Sequence, residues 1–257
     1  DMEHLARWRK KNDYESVAEI TEAIRHCICY PNLMKIDTED VKILGPQGNV
    51  NTRIYKPEGE ELFPVLIYYH GGSFSMNSIE VYEYVCRYLA YTGNMIVVAP
   101  DYHLAPEYKF PAGLNEAYET LVWTKNNIGL YYGDSEQHYQ VGYFLNYNCM
   151  NNPMAHYFEN EEDVKNSLAS PLLEDNLKGL PPACFISAEC DPLLDQGLQY
   201  AAKLQDAGVK VEYHILKGML HGFINRTYGK SFEFVSCPSY VEETIRCGKS
   251  YGEARVI

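Results

Sequence analysis

Two uninterrupted apolar runs, "FPVLIYYHGG" at 63–72 and "NMIVVAPDY" at 94–102, constrain this chain most. A strand that is apolar at successive positions, not at alternate ones, must be covered on both faces, as in a parallel sheet between helices. The segments around these runs fit that demand. "IEVYEYVCRYLAYTG" (79–93) and "NEAYETLVWTKNN" (115–127) have helical periodicity, the first closing on Gly93. Further on, "PPACFISAECD" (181–191) reads as a buried strand and "QGLQYAAKLQDAG" (196–208) as a helix with a glycine stop. "KVEYHILKG" (210–218) then reads as a strand leading into "MLHGF". Near the start, "DTEDVKILGPQGNVNTRIYKPEG" (37–59) alternates around Gly45-Pro46-Gln47-Gly48 and predicts a hairpin. Leu5, Trp8, Val17, Ile20 and Ile24 predict a helix over residues 2–26. Strands alternating with helices give an α/β class with a mainly parallel twisted sheet and helices on both faces. With no repeat, linker or low-complexity tract, residues 1–257 are expected to form one domain.

The bulk numbers exclude some function classes. The 22 Lys+Arg against 35 Asp+Glu give a formal net charge of −13, which repels nucleic-acid backbones. No apolar run approaches the roughly 18–20 residues that span a bilayer, so no transmembrane segment is expected. The eight cysteines form no CxxC pair and no Cys/His cluster at zinc spacing. His138, His156 and His214 likewise have no partners at metal-ligand spacing. Such scattered thiols read as small buried hydrophobes in a reducing compartment, hence a cytoplasmic location. The first residue is Asp1, not Met, and an upstream targeting segment is compatible with that start. No GxxxxGK[ST] or GxGxxG pattern occurs, and neither a cofactor nor a metal is expected.

Chemistry in an open α/β sheet gathers at the carboxyl ends of its strands. There, His70-Gly71-Gly72-Ser73 supplies consecutive glycines whose N–H groups suit an oxyanion. Asp191 directly follows "CFISAEC", and His221 follows "VEYHIL" within "GMLHGF". A carboxylate and an imidazole at successive strand ends, in that order, suit a hydrolase triad's second half, with the carboxylate orienting the ring. Taken singly, each reads better as an ordinary turn glycine, a surface Asp or a polar loop His; the Asp and His together, in order and in place, outweigh that reading.

The same segments carry a family resemblance. "HGGSF", "APDYHLAPEYKFPAGLNEA" (99–117) and the block from "LASPLLEDN" through "GMLHGF" (168–223) resemble the hormone-sensitive-lipase-like branch of the α/β-hydrolases. That branch includes bacterial carboxylesterases and arylacetamide deacetylases. Ser73 stands at the third glycine of the HGGG motif, and His103 where Arg is usual. The resemblance covers residues 40–225 with one break. It implies an α/β-hydrolase fold with an N-terminal helical cap segment (1–36), Asp191 and His221 as triad members, and Gly71 and Gly72 as the oxyanion hole. It also implies a small hydrophobic ester or similar ligand; oligomeric state is left open.

The break falls at the nucleophile. Gly133-Asp134-Ser135 matches the start of the family's G-D-S-A-G-G elbow but continues Glu136-Gln137-His138. Small residues are needed there because the serine's neighbours crowd the adjoining strand and helix, and Glu136 would oppose a developing oxyanion. Asp134 lies 11 residues after Trp123, which fits the family's turn before the nucleophile strand, with "HYQVGYFL" (138–145) as that strand. From Ser135 to Asp191 the chain counts 56 residues, where relatives have roughly ninety or more. A block of roughly forty residues is therefore expected to be absent: the elbow, its helix and the next strand. Ser135 as a displaced nucleophile, and Cys149 after "GYFL", remain as alternatives. Three functional readings follow. The chain is a Ser-His-Asp esterase of small acyl esters, a non-catalytic ligand-binding member such as the plant gibberellin receptors it resembles, or a product lacking its central segment.

Overall fold

The computed structural model describes residues 35–141, 157–222 and 255–256. The expected N-terminal helix, and the cap segment up to residue 34, lie outside the described residues. The hairpin is as expected: β1 (Asp37–Gly45) and β2 (Gly48–Lys56) pair antiparallel from Asp37↔Lys56 to Gly45↔Gly48. Pro46-Gln47 make its two-residue loop, and Gly48 takes φ +122°, a left-handed value that glycine adopts without steric cost.

β3 (Phe63–Tyr68) and β4 (Ile96–Asp101) are the two apolar runs, paired in parallel, and β2 joins β4 antiparallel. Their side chains divide by parity. Tyr55, Leu66, Tyr68, Val97 and Ala99 pack under α1 (Glu83–Gly93), with its Val85, Cys86, Leu89 and Ala90. Ile54, Phe63, Val65, Ile67, Ile96 and Val98 meet Leu121 and Trp123 of α2 (Ala112–Asn127) on the opposite face. Helices thus cover both faces, as the apolar runs required. α1 begins at Glu83, not at Ile79, and its left-handed cap is Asn94 (φ 47°) instead of the expected Gly93. Asn tolerates that region because its short polar side chain bonds locally.

β5 (Gly133–Val141) runs parallel to β3. Its regular ladder begins at His138↔Val65 and reaches Val141↔Tyr68, whereas Gly133 pairs with Phe63, so Asp134–Gln137 form an irregular step. The pre-strand turn expected at Asp134 is therefore drawn into the strand, although regular pairing starts at the expected residue. The expected strand beyond Val141 lies outside the described residues. β6 (Ala183–Cys190), α3 (Leu194–Asp206) and β7 (Val211–Leu220) follow as the sequence suggested, with Gly208 at φ +84° after the helix.

Among the described residues the sheet order is β1-β2-β4-β3-β5 and then a short strand at Arg255–Val256 (β8), with β6 and β7 paired in parallel as a separate two-stranded sheet. β8 (Arg255–Val256) lies parallel to β5 at Tyr139 and Gln140. Between β5 and β6 the described residues, 157–182, carry short 3-10 turns and no strand. Apart from the antiparallel β1–β2 and β2–β4 pairs, the described pairings are parallel, as expected. Ile67 is fully buried between β4 and β5. Ile67→Ala should cost about 2–5 kcal/mol, seen in urea as a lowered midpoint with an unchanged slope; a loss below about 1 kcal/mol would show that this layer is not the core.

Candidate functional site

β3 feeds directly into the glycine loop. Gly72 has φ +136°, and a Cβ there would strike the Met76 carbonyl. The Gly72 carbonyl accepts the Ser75 and Met76 N–H groups, each at 3.0 Å. The Gly71 carbonyl accepts the Asn77 side-chain amide at 2.8 Å, and the His70 carbonyl accepts the Tyr102 hydroxyl at 2.5 Å. A trans peptide holds its N–H opposite its C=O, so anchoring these carbonyls turns the Gly71 and Gly72 N–H groups away from Tyr102 and Asn77. Among the described residues neither N–H donates to a backbone carbonyl. Ser73 and Phe74 sit at φ 53° and 54°. Glycine is the easier residue for that left-handed region, which explains the family preference at position 73.

His70 is buried against Tyr102, stacked at 4.4 Å, and against Tyr82 at 5.8 Å. Burial pushes its pKa down to about 4, opposed by the hydrogen bond of its Nδ1 with the Gly71 carbonyl, 3.0 Å away. The ring is therefore neutral at pH 7. Behind the loop, Ala105 N–H bonds the Phe74 carbonyl at 2.7 Å. His103, in the place of the usual Arg, still meets a carboxylate. Glu116 of α2, fully buried, accepts the His103 N–H at 2.8 Å and lies 2.6 Å from its Nδ1. Phe74 stacks on Tyr157 at 4.7 Å, and Phe110 meets Tyr157 edge-on at 5.8 Å, an aromatic wall beside the loop.

Asp191 and His221 are brought together by strand register. Ala188 pairs with Leu216 but Cys190 pairs with Leu220, so β7 slips by two residues relative to β6. Each partner is then the first residue past its strand. The His221 Nδ1 lies 2.7 Å from Asp191 Oδ2. Asp191 Oδ1 accepts the Leu193 N–H at 2.8 Å, which fixes the carboxylate. An Nδ1–H donated to a carboxylate leaves Nε2 as the basic nitrogen. His221 is 6% exposed, so this charge-sensitive pair is largely shielded from water.

Ser135 lies elsewhere. It sits in the irregular step near the start of β5, whose first residue pairs with Phe63, the first residue of β3. The glycine loop follows the other end of β3, roughly 20 Å along the strand at about 3.3 Å per residue. Cys149 lies outside the described residues. His214, expected to have no partner at metal-ligand spacing, has one: its Nε2 is 2.9 Å from Glu212 Oε1, and Cys184 of β6 joins them. Linear spacing could not show this, because the register Cys184↔Glu212 supplies the third member. His138 and His156 have no described side chains.

Residues 66–142 and 131–225 both match a family described as alpha/beta hydrolase fold. The chain belongs to that family. The two matched stretches overlap at residues 131–142, around β5. An arylesterase of Saccharolobus solfataricus is 29% identical over 236 residues, covering 73% of this chain and 77% of the relative. Since 73% of 257 residues is about 188, some 48 of those 236 positions face no residue here. Carboxylesterase NlhH of Mycobacterium tuberculosis is 29% identical over 229 residues, covering 69% of this chain and 72% of the relative. The solved esterase of Pyrobaculum calidifontis superposes with a TM-score of 0.82 at 26% identity, covering 96% of this chain and 92% of that one. These similarities place the chain in the hormone-sensitive-lipase-like branch of the α/β-hydrolase fold, beside relatives that are named as esterases. No helix of the described residues is long and apolar enough to cross a membrane.

The depressed His70 pKa has a pH consequence. The unfolded chain takes up this proton near pH 6.5 and the folded chain only near 4. Stability is therefore full above about pH 6.5 and falls as pH drops through that window. Urea unfolding should show about 2 kcal/mol less stability at pH 5 than at pH 7 from this ring, and His70→Gln should remove that difference; an unchanged pH slope in the variant would place its origin elsewhere.

Proposed function

We propose that this chain is a carboxylic-ester hydrolase for small acyl esters, with His221 as general base, Asp191 as its orienting carboxylate and the Gly71 and Gly72 N–H groups as the oxyanion hole. The single observation that carries the reading is the 2.7 Å contact of His221 with Asp191 at adjacent strand ends. In the acylation step the nucleophile adds to the ester carbonyl while its proton moves to His221 Nε2. Asp191 stabilises the imidazolium, and the carbonyl oxygen takes up negative charge toward the two glycine N–H groups. His221 then gives the proton to the departing alcohol. Water repeats the sequence to release the acid. The aromatic wall of Phe74, Phe110 and Tyr157 suits a small hydrophobic acyl or alkyl group.

Ser135 is not assigned the nucleophile's role in this reading, because of its place near the start of β5. The carboxyl end of β5 leads into residues 142–156, where the only serine, threonine or cysteine is Cys149. One observation favours a second reading, a hydrolase-fold protein that binds a hydrophobic ligand without acyl transfer: some 48 positions of the arylesterase alignment are unmatched, and the deficit agrees with the short Ser135–Asp191 interval. In this second reading the elbow, its helix and one strand are the segment that the alignment leaves unmatched.

Hydrolysis of p-nitrophenyl butyrate by the full chain separates the readings. Under the first, His221→Ala lowers kcat/KM by about 10⁴-fold, Ser135→Ala leaves it unchanged, and Cys149→Ala removes it if the thiol is the nucleophile. Loss of activity in Ser135→Ala would restore that serine. An inactive wild type that binds a hydrophobic ester saturably, yet takes no fluorophosphonate label, would establish the second.

A further inference from the structure

β6 and β7 present two unlike faces. Ala183, Phe185 and Val211 pack with Leu204 of α3, and Tyr213 stacks on Phe185 at 5.3 Å. Side chains alternate along a strand, so Cys184, Glu212 and His214 share the face turned away from α3. Register brings them together, with Cys184 opposite Glu212 and Ile186 opposite His214. Their candidate donor atoms, the Cys184 sulfur, a Glu212 carboxylate oxygen and a His214 ring nitrogen, all lie within 4.8 Å of one another. Cys184 is buried, whereas the Glu212 and His214 side chains are 29% and 21% exposed, which leaves a route for a small ion.

We propose that Cys184, Glu212 and His214 form a binding site for a borderline divalent transition-metal cation of the Zn²⁺ class. Thiolate, imidazole and carboxylate are together the donors such ions take, at about 2.0–2.3 Å. Ligand atoms around a tetrahedral ion are about 3.5 Å apart, so small side-chain rotations convert the present cluster into a coordination shell. The Cys184 thiol proton leaves to solvent as the ion enters, and His214 offers its unprotonated ring nitrogen while the other ring nitrogen carries the proton. Water or another donor completes the fourth position. A thiolate beside an imidazole excludes Mg²⁺ and Ca²⁺, which prefer all-oxygen shells.

The site joins β6 and β7, which among the described residues form a sheet of two strands, a size that is marginal by itself in water. Cys184 lies seven residues before Asp191, and His214 seven before His221. The ion therefore staples the two strands whose ends carry the Asp191–His221 pair, without touching that pair. This inference is independent of whether the chain hydrolyses esters.

Titration of the full chain with Co²⁺, read by electronic absorption, tests it. One equivalent should give a thiolate-to-cobalt charge-transfer band that Zn²⁺ abolishes. Cys184→Ser should lose the band. His214→Gln, at a partly exposed position that keeps the fold, should weaken binding by roughly a hundredfold. His221→Ala should bind as the wild type does. Zn²⁺ should also raise the Tm of the wild type but not of His214→Gln. Absence of the band in the wild type, its survival in Cys184→Ser, or its loss only in His221→Ala would overturn the proposal.

Discussion

The glycine loop of the candidate site hangs on strands buried on both faces. β3 and β4 carry alternating apolar side chains into two separate layers, one under α1 and one under α2. Neither strand can slip by one residue without exchanging its two apolar faces, and packing in each layer is specific to its helix. The glycine loop begins two residues past β3, so its position is inherited from that register. The loop's carbonyls are then tied down by Tyr102 and Asn77, residues outside it. Rigid placement of backbone N–H groups costs nothing further at the moment they are needed.

Polar groups in the core follow the same logic of fixed partners. Glu116 is fully buried and accepts from both the backbone and the ring of His103, which substitutes for the family's Arg with one fewer possible fork. Around the hairpin, Arg53 contacts Asp40 and Glu83, and Glu83 also accepts from Tyr55 and Arg87. A hydrogen-bonded carboxylate of this kind joins β2 to α1, because removing any one donor leaves the others to carry a buried charge.

Much of this was legible in the sequence, and the exceptions have physical causes. The two apolar runs, the Gly45–Gly48 hairpin and the helices announced themselves because both period and flanking turns are local signals. Asp191 and His221 were nameable from order and strand-end position, but their contact depends on a two-residue slip between β6 and β7 that no periodicity reveals. The start of α1 was misjudged because Ile79 and Val81 are buried as a loop segment, not as helix. Ser135 is the harder case: three residues match a motif whose meaning depends on which end of the strand they occupy, and Ser135 lies near the start of β5. The Cys184–Glu212–His214 group was invisible because its members are brought together only by pairing across strands.

β8 joins the sheet at one place, and that place has a consequence in time. Arg255 and Val256 lie beside Tyr139 and Gln140 of β5, residues made more than a hundred positions earlier. During synthesis this stretch of β5 must wait for Arg255 and Val256 to leave the ribosome. A bare parallel edge is the kind of surface that recruits a neighbouring chain. The order of manufacture therefore sets an interval in which nascent copies are most exposed to one another, and the arrival of Arg255 and Val256 closes it.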